Sequence, residues 1–229
     1  NMERRNDPRY IGWRHERIKG KEYDDFIEQF VDAVKRRFPN VLLQWEDFAS
    51  VDAERILGRY RDQLCTFNDD IQGTAAVATG TILAAIAATG GDLSDQRIIM
   101  LGAGSAGLGI TNQLVRTMMR SGMSESEARR RFYVVDMGGL IHTGRSDVDD
   151  VHRPLAQQPQ DLQDWKCDFS QPVAFADVVR LAKPTVLIGA TGHAGAFPEP
   201  IIREMAKHAK RPVIFPLSNP TSKSEATPA

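Results

Sequence analysis

Four carboxylates stand in two short stretches, Glu46 and Asp47 in Trp45-Glu46-Asp47-Phe48, and Asp69 and Asp70 in Phe67-Asn68-Asp69-Asp70-Ile71-Gln72-Gly73-Thr74. Both pairs sit among apolar residues, where gathered like charges repel and lose hydration unless a cation compensates. Oxygen-only ligands suit Mg2+ or Mn2+, and no histidine or cysteine cluster selects a softer ion. A plainer alternative stays open from the residues alone. Asn68, Asp69 or Asp70 simply caps the helix that follows, and Glu46-Asp47 is solvated at the end of its strand.

The second chemical signal is the turn Gly102-Ala103-Gly104-Ser105-Ala106-Gly107. Alone this glycine spacing is weak, but here it follows the apolar run Ile98-Ile99-Met100-Leu101 and opens a helix, the context that makes it specific for a dinucleotide. The first glycine permits the turn, the second lets a pyrophosphate approach the backbone, and Gly107 lets the helix pack closely. Amides at the helix start, around Ser105 and Ala106, bind phosphate. The order around Ser105 lacks the first glycine of a nucleophile elbow, so Ser105 is not read as a nucleophile. Asp136 closes the next strand, where an acid hydrogen-bonds the adenosine ribose and repels a 2′-phosphate, favouring NAD over NADP. It stands 29 residues after Gly107, beyond the usual spacing of about 20, and the charged turn from Ser124 to Arg131 accounts for the excess. Arg145, His152 and Arg153 are near enough to offset the preference for NAD, although a solvated surface loop is the simpler reading of them. Together, hard oxygen ligands and a nicotinamide site would equip a chain to oxidise a chelating hydroxy acid.

Phe26, Ile27, Phe30, Val31, Val34 and Phe38 recur at helical spacing, and Pro39 stops that helix. Val41-Leu42-Leu43-Gln44 reads as a short strand that delivers Glu46-Asp47 at its carboxyl end, with a helix following from Ala53 to Arg61. Thr74 to Ala88 is small and apolar nearly all round, which predicts a helix buried on every side. From Arg97 strands and helices alternate: Ile98–Leu101, a helix carrying Leu114, Val115, Met118 and Met119, Phe132–Val135, then Thr185–Ile188, a helix from Glu199 to His208, and Val213–Leu217. A helix is also expected over Val173–Leu181, after a polar excursion from 144 to 171. This alternation predicts an α/β chain, a doubly wound parallel sheet of the Rossmann type preceded by a mostly helical segment. In such a sheet Gly102, Asp136, Gly189-Ala190-Thr191-Gly192 and Ser218-Asn219-Pro220 all follow strands and share the ligand-binding edge. Small residues at 189–192 leave room for a nicotinamide ring, and Asn219 is placed for a substrate carboxylate or carboxamide. His193 is read as an ordinary loop histidine, and Asn219 has a bland reading as a turn residue before proline.

The 229 residues balance 29 basic against 30 acidic groups, so no global field draws the chain to nucleic acid or anionic lipid. Two distant cysteines, Cys65 and Cys167, offer neither a disulfide framework nor a zinc spacing. No stretch is read as a membrane span, Asn1 to Pro8 has no apolar signal core, and a cytoplasmic location is expected. Both ends are read as cuts in a longer protein, the tail from Ser224 to Ala229 resembling the opening of another helix.

The stretches Asn6-Asp7-Pro8-Arg9-Tyr10, Glu22-Tyr23-Asp24-Asp25-Phe26, Trp45-Glu46-Asp47-Phe48-Ala49, Cys65 to Ala76, the Gly102–Gly107 turn and Leu217-Ser218-Asn219-Pro220-Thr221 resemble, in order, those of the malic enzymes of the large NAD type. The resemblance implies that Glu46, Asp47 and Asp70 are metal ligands and that Asp69 is the carboxylate paired with a catalytic lysine. It further implies that Asn219 contacts substrate, that Asp136 binds ribose, and that residues 1–72 end a metal-bearing domain while 73–229 form the NAD-binding one. The reaction implied is oxidation of malate by NAD, then loss of CO2 to give pyruvate, in a homodimer or homotetramer. The family's general-base lysine, general-acid tyrosine and a substrate-binding arginine have no counterpart here, which predicts an inactive fragment. A malolactic-type enzyme that recycles its NAD, or a noncatalytic dinucleotide-binding module, would carry the same motifs.

Overall fold

The computed structural model describes residues 5–227. The first helix, α1 (Gly20–Arg37), buries only Ile27 and Val31 of its expected apolar face, leaving Phe26, Phe30 and Phe38 exposed. It packs on β1 (Leu43–Trp45) and α2 (Ser50–Tyr60) in a small core centred on Trp45, whose ring stacks on Tyr60 and meets Phe48 edge-on. A strand that the sequence reading missed, β2 (Thr66–Asn68), pairs with β1 in parallel, Trp45 opposite Asn68. A three-residue strand is too short for its alternation to stand out from the loops around it.

Asn68 ends β2 and begins a π-helical turn, Asp69–Gly73, that runs straight into α3 (Thr74–Thr89). The cap is Asn68: its Oδ1 accepts the Ile71 amide at 2.9 Å, and Gln72 Oε1 returns the favour to the Asn68 amide at 3.0 Å. The two aspartates are thereby released from capping. Helix α3 corrects two expectations. It is buried on one face only, through Ala75, Ala78, Thr79, Ile82 and Ile86, while Val77 on the opposite side is exposed. By length and composition, moreover, the run Asp69–Thr89 is apolar enough to cross a membrane, with mean hydropathy 1.5. In the fold it is a core helix lying against the main sheet's first helix.

That sheet comprises β3 (Ile98–Leu101), β4 (Phe132–Asp136), β5 (Gly139–Leu140), β6 (Val186–Gly189) and β7 (Val213–Pro216), in the spatial order β5-β4-β3-β6-β7. Four strands are parallel, as read from sequence, and the short β5 is an antiparallel edge. Successive residues in a strand point to opposite faces, and the core divides accordingly. Ile98, Met100, Phe132, Val134, Val186 and Ile188 pack beneath α3, α4 (Ser105–Arg120) and α5 (Glu125–Arg130). Ile99, Val135 and Leu187 pack beneath α6 (Phe175–Ala182) and α7 (Glu199–Ala206). Each such side chain contributes roughly 1.5–3 kcal/mol through burial, so the sheet is the rigid base of whatever its rim holds.

The charged stretch 124–131 is a helix, not a turn, opened by a reciprocal capping box between Ser124 and Glu127. The tail Ser224–Ala229 was expected to open a further helix; Ser224–Thr227 is instead non-helical, and the carbonyls of Ser224 and Glu225 accept from the Gly195 and Phe197 amides. Asn1–Arg4 and Pro228-Ala229, part of the segments read as cut ends, lie outside the described residues.

Candidate functional site

The chain leaves β3 toward β4 on one side and later returns to place β6 on the other, so a crevice opens where the strand order reverses. Its volume is about 730 Å³, and it is lined by Gly102, Ala103, Gly104, Asp136, Met137, Gly138, Arg145, Asp147, His152, Ala190, Thr191 and His193. Three of the four expected strand-end segments meet there. Gly102 has φ +106°, a conformation that disfavours side chains, and a Cβ on it would come within 2.4 Å of the Ala190 carbonyl. A Cβ on Gly107 would lie 2.1 Å from the Gly102 carbonyl. Gly104 differs from both. Its φ is −73° and an added Cβ would meet nothing within 4 Å. Nothing in the protein demands glycine at that position, and the open space beside the start of α4 fits a pyrophosphate held on first-turn amides at Ser105, Ala106 and Gly107.

Asp136 lies at the rim as expected, but its surroundings overturn the reading of Arg145 and His152 as loop residues facing solvent. Arg145 has an 11 % exposed side chain and clamps Asp136 with two hydrogen bonds, 2.8 Å to Oδ1 and 3.1 Å to Oδ2, while also pairing with Asp147. These carboxylate hydrogen bonds push the guanidinium further into its protonated range, despite partial desolvation. The Gly138 amide adds a third bond to Asp136 at 2.7 Å. A carboxylate offers about four acceptor positions, so Asp136 retains roughly one for a ribose hydroxyl, and its charge is largely offset. His152 hydrogen-bonds the Ala103 carbonyl at 2.7 Å through Nε2 and Asp149 through Nδ1, tying the 144–171 excursion onto the glycine turn. No periodic pattern marks either contact in sequence; each is made by a single side chain on an irregular loop.

On the other side of the crevice, Gly189 and Gly192 do different work. A Cβ at Gly189 would strike the ring of Phe197 and the Glu225 side chain at 2.6–2.7 Å, so the room it leaves is filled by protein. Ala190 and Thr191 line the crevice, and the Gly192 amide donates to Ser218 Oγ at 2.8 Å, drawing the Ser218-Asn219 turn to the same rim. Glu225, which the sequence reading passed over, is fully buried behind these turns. Burial raises its pKa, but hydrogen bonds from Ser218 and Thr191 outweigh this and hold it below the ordinary glutamate value.

The acid pairs occupy the carboxyl ends of the parallel strands β1 and β2, and so emerge side by side. The Asp47 amide donates to Asp70 Oδ2 at 2.9 Å, with Asp47 itself at φ +60°. The three side chains do not converge: Glu46 Oε2 instead accepts from Gln44 Nε2 at 3.0 Å. Among the described residues no group of three or more His, Cys, Asp or Glu side chains is gathered as a metal cluster. Asp69 folds back over its own turn, and a Cβ at Gly73 would lie 2.2 Å from its Oδ1. The link to the cofactor crevice is a backbone contact. A Cβ at Gly109, in α4, would lie 2.2 Å from the Ile71 carbonyl, so the π-helical turn bearing Asp69 and Asp70 rests directly on the helix that rises from the glycine turn. A second cleft of about 950 Å³ opens beside Glu46 and Asp47, between them and Trp13, Lys19, Tyr23 and Phe26.

The model for the malic enzyme NAD binding domain matches residues 71–229, and that for the malic enzyme N-terminal domain matches residues 1–61. The chain is 54% identical over 228 residues to the NAD-dependent malic enzyme of Sodalis glossinidius, covering 100% of this chain and 40% of the relative. The Pseudomonas aeruginosa enzyme of the same name is 52% identical over 223 residues, covering 97% and 40%. Thus the chain spans about 40% of the length of these curated relatives. Among solved structures, the NAD-dependent malic enzyme of Thermotoga maritima aligns over 90% of this chain and 49% of its own, with TM-score 0.68 at 22% identity. The malic enzyme of Entamoeba histolytica aligns over 89% and 40%, with TM-score 0.66 at 22% identity. At that identity the structures speak for the fold, and the family models speak for descent: this chain belongs to the malic enzyme family, and carries its NAD-binding domain.

Proposed function

We propose that the whole protein oxidatively decarboxylates malate to pyruvate and CO2 with reduction of NAD, and that this chain supplies the dinucleotide crevice and the acidic metal-side rim. The observation that carries the reading is the placement of Glu46-Asp47 beside Asp69-Asp70 at the ends of two paired parallel strands, on a turn seated against α4. The donors Glu46, Asp47 and Asp70 fit a hard divalent ion, Mn2+ or Mg2+, in chemistry and in backbone position, and would have to turn toward one another to hold it. Bound there, such an ion would supply Lewis-acid polarisation of the substrate's hydroxyl and later carbonyl oxygen.

In this reading each residue has a defined task. Gly104 leaves room for pyrophosphate, the start of α4 binds it, and Asp136 accepts from the ribose. Arg145 fixes the Asp136 carboxylate and offsets its charge, which weakens the repulsion of a 2′-phosphate; NAD is the preferred cofactor and NADP a slower one. Asn219 orients the substrate, and Asp69 positions a lysine contributed from elsewhere in the whole protein. The same reading divides the chain after Gln72, at the turn joining the two parts, and places a homodimer or homotetramer in the cytoplasm, without membrane or nucleic-acid partners. The test is malate turnover by the full-length protein with Mn2+. Pyruvate with one free NADH per turnover supports the proposal; lactate without free NADH shows the malolactic reaction, and NAD binding without turnover shows a module.

A further inference from the structure

We propose that Glu225 is a positioning residue that clamps the turn after β6 to the turn after β7, holding Asn219 at a fixed separation from Thr191 in the wall of the crevice. The inference rests on the functional reading only in giving Asn219 to the substrate. Glu225 is 0 % exposed, and no cationic side chain is among its partners. A buried carboxylate without a counter-ion is costly unless hydrogen bonds replace its water. Four donors do so here. Oε1 accepts from the Thr191 amide at 2.8 Å, from Thr191 Oγ1 at 2.7 Å and from Ser218 Oγ, and Oε2 accepts from the Ser218 amide at 3.2 Å.

Because a carboxylate only accepts, both hydroxyl protons must point at Glu225. Each hydroxyl oxygen is then left to accept, and each takes a further rim amide: Ser218 Oγ the Gly192 amide at 2.8 Å, and Thr191 Oγ1 the His193 amide at 3.0 Å. One acid thereby orders the amides of four rim residues, 191, 192, 193 and 218. Its backbone is anchored too, the Phe197 amide donating to the Glu225 carbonyl at 2.9 Å and the Gly195 amide to the Ser224 carbonyl at 3.1 Å. Gly189 completes the fit, since its missing side chain is the space that the Glu225 side chain occupies. The four donors come from two separate turns, so the one carboxylate ties the turn at Thr191 to the turn at Ser218.

The test uses the full-length protein with Glu225→Gln, Glu225→Asp and Ser218→Ala, and Glu199→Gln, an exposed pair partner of Arg203, as control. Glutamine keeps the shape but sets an amide nitrogen against the Ser218 N–H; aspartate keeps the charge but loses the reach between turns. Both variants are expected to lower kcat/KM for malate by about 10–100-fold, chiefly through KM, with NADH affinity by fluorescence titration falling by a smaller factor, because the Thr191 wall of the crevice loosens while the glycine turn and Asp136 stay in place. Hydrogen exchange at the Ser218 and Gly192 amides should accelerate in both. Ser218→Ala keeps the carboxylate and loses the relay, so it should free the Gly192 amide, and it decides the matter if the Glu225 variants do not fold. Unchanged malate KM together with unchanged exchange at Ser218 and Gly192 would overturn the clamp, as would full rescue by aspartate. Should the parent itself fail to turn over malate, the functional reading falls, and the exchange data still decide whether Glu225 joins the turns.

Discussion

Replacing Gly109 by alanine tests the contact that joins the acidic rim to the cofactor helix. The added Cβ would lie 2.2 Å from the Ile71 carbonyl oxygen and 3.0 Å from its carbon. Ordinary contact begins near 3.5 Å, so the π-helical turn and α4 must part by about 1 Å. Overpacking of this kind costs roughly 1–3 kcal/mol, while alanine in a helix interior gains about 1 kcal/mol over glycine. The net expectation is a loss of about 0–2 kcal/mol. The matched control is Gly58→Ala in α2, where an added Cβ meets nothing within 4 Å and only the helix gain of about 0.5–1 kcal/mol remains. For a chain of this size 1 kcal/mol moves Tm by roughly 2–4 °C. Thermal unfolding followed by circular dichroism should therefore raise Tm for Gly58→Ala and leave it unchanged or lowered for Gly109→Ala. In the full-length enzyme the displaced turn carries Asp69 and Asp70 with it, so the Mn2+ concentration for half-maximal rate should rise. An increase in Tm for Gly109→Ala matching that of the control would refute the backbone contact, and with it the proposed coupling of the two halves of the site.

Other perturbations separate the remaining parts. Asp70→Ala should abolish metal-dependent turnover of the full-length enzyme while NADH affinity stays nearly constant; a large loss of NADH binding with a normal metal response would contradict the assignment. Asp136→Ala removes the ribose acceptor and leaves Arg145 paired with Asp147 alone, so the NAD to NADP ratio of kcat/KM should fall, by about tenfold for a lost charge-assisted hydrogen bond; an unchanged ratio would remove Asp136 from cofactor choice. His142 is 1 % exposed, and burial, assisted by the charge of Arg145, lowers its pKa below the ordinary 6.5. The unfolded chain then takes up a proton that the folded chain resists, so stability is complete above about pH 6.5 and declines as pH falls toward the folded value. Urea midpoints between pH 7.5 and 5.5 should fall less steeply for His142→Gln than for the parent, and equal slopes would show that His142 does not contribute.

Much of the fold was legible because its signals are local and repeated. The continuous apolar runs at 98–101 and 132–135 read as buried parallel strands, and the sheet places them as neighbours in register. What failed was short or depended on partners. β2 has three residues, β5 has two, and α3 looks alike on both faces, so periodicity could not say which side the sheet would cover. In the site, the glycine turn and Asp136 were readable because spacing after a strand fixes their place on the rim. Arg145 and Glu225 were not, because a lone charged residue on an irregular segment carries no period.

By itself, then, the sequence determined the strand-helix alternation, the dinucleotide turn and the oxygen-rich composition of the acidic rim, all consequences of residue type and near-neighbour spacing. Only the tertiary structure decided that Asn68 caps the helix so that Asp70 reaches Asp47, that Arg145 offsets Asp136, and that Glu225 joins two turns. The physical reason is that a buried or rim-facing polar group takes its role from whichever donors and charges surround it, and chain folding brings those from 9, 23 and 34 residues away.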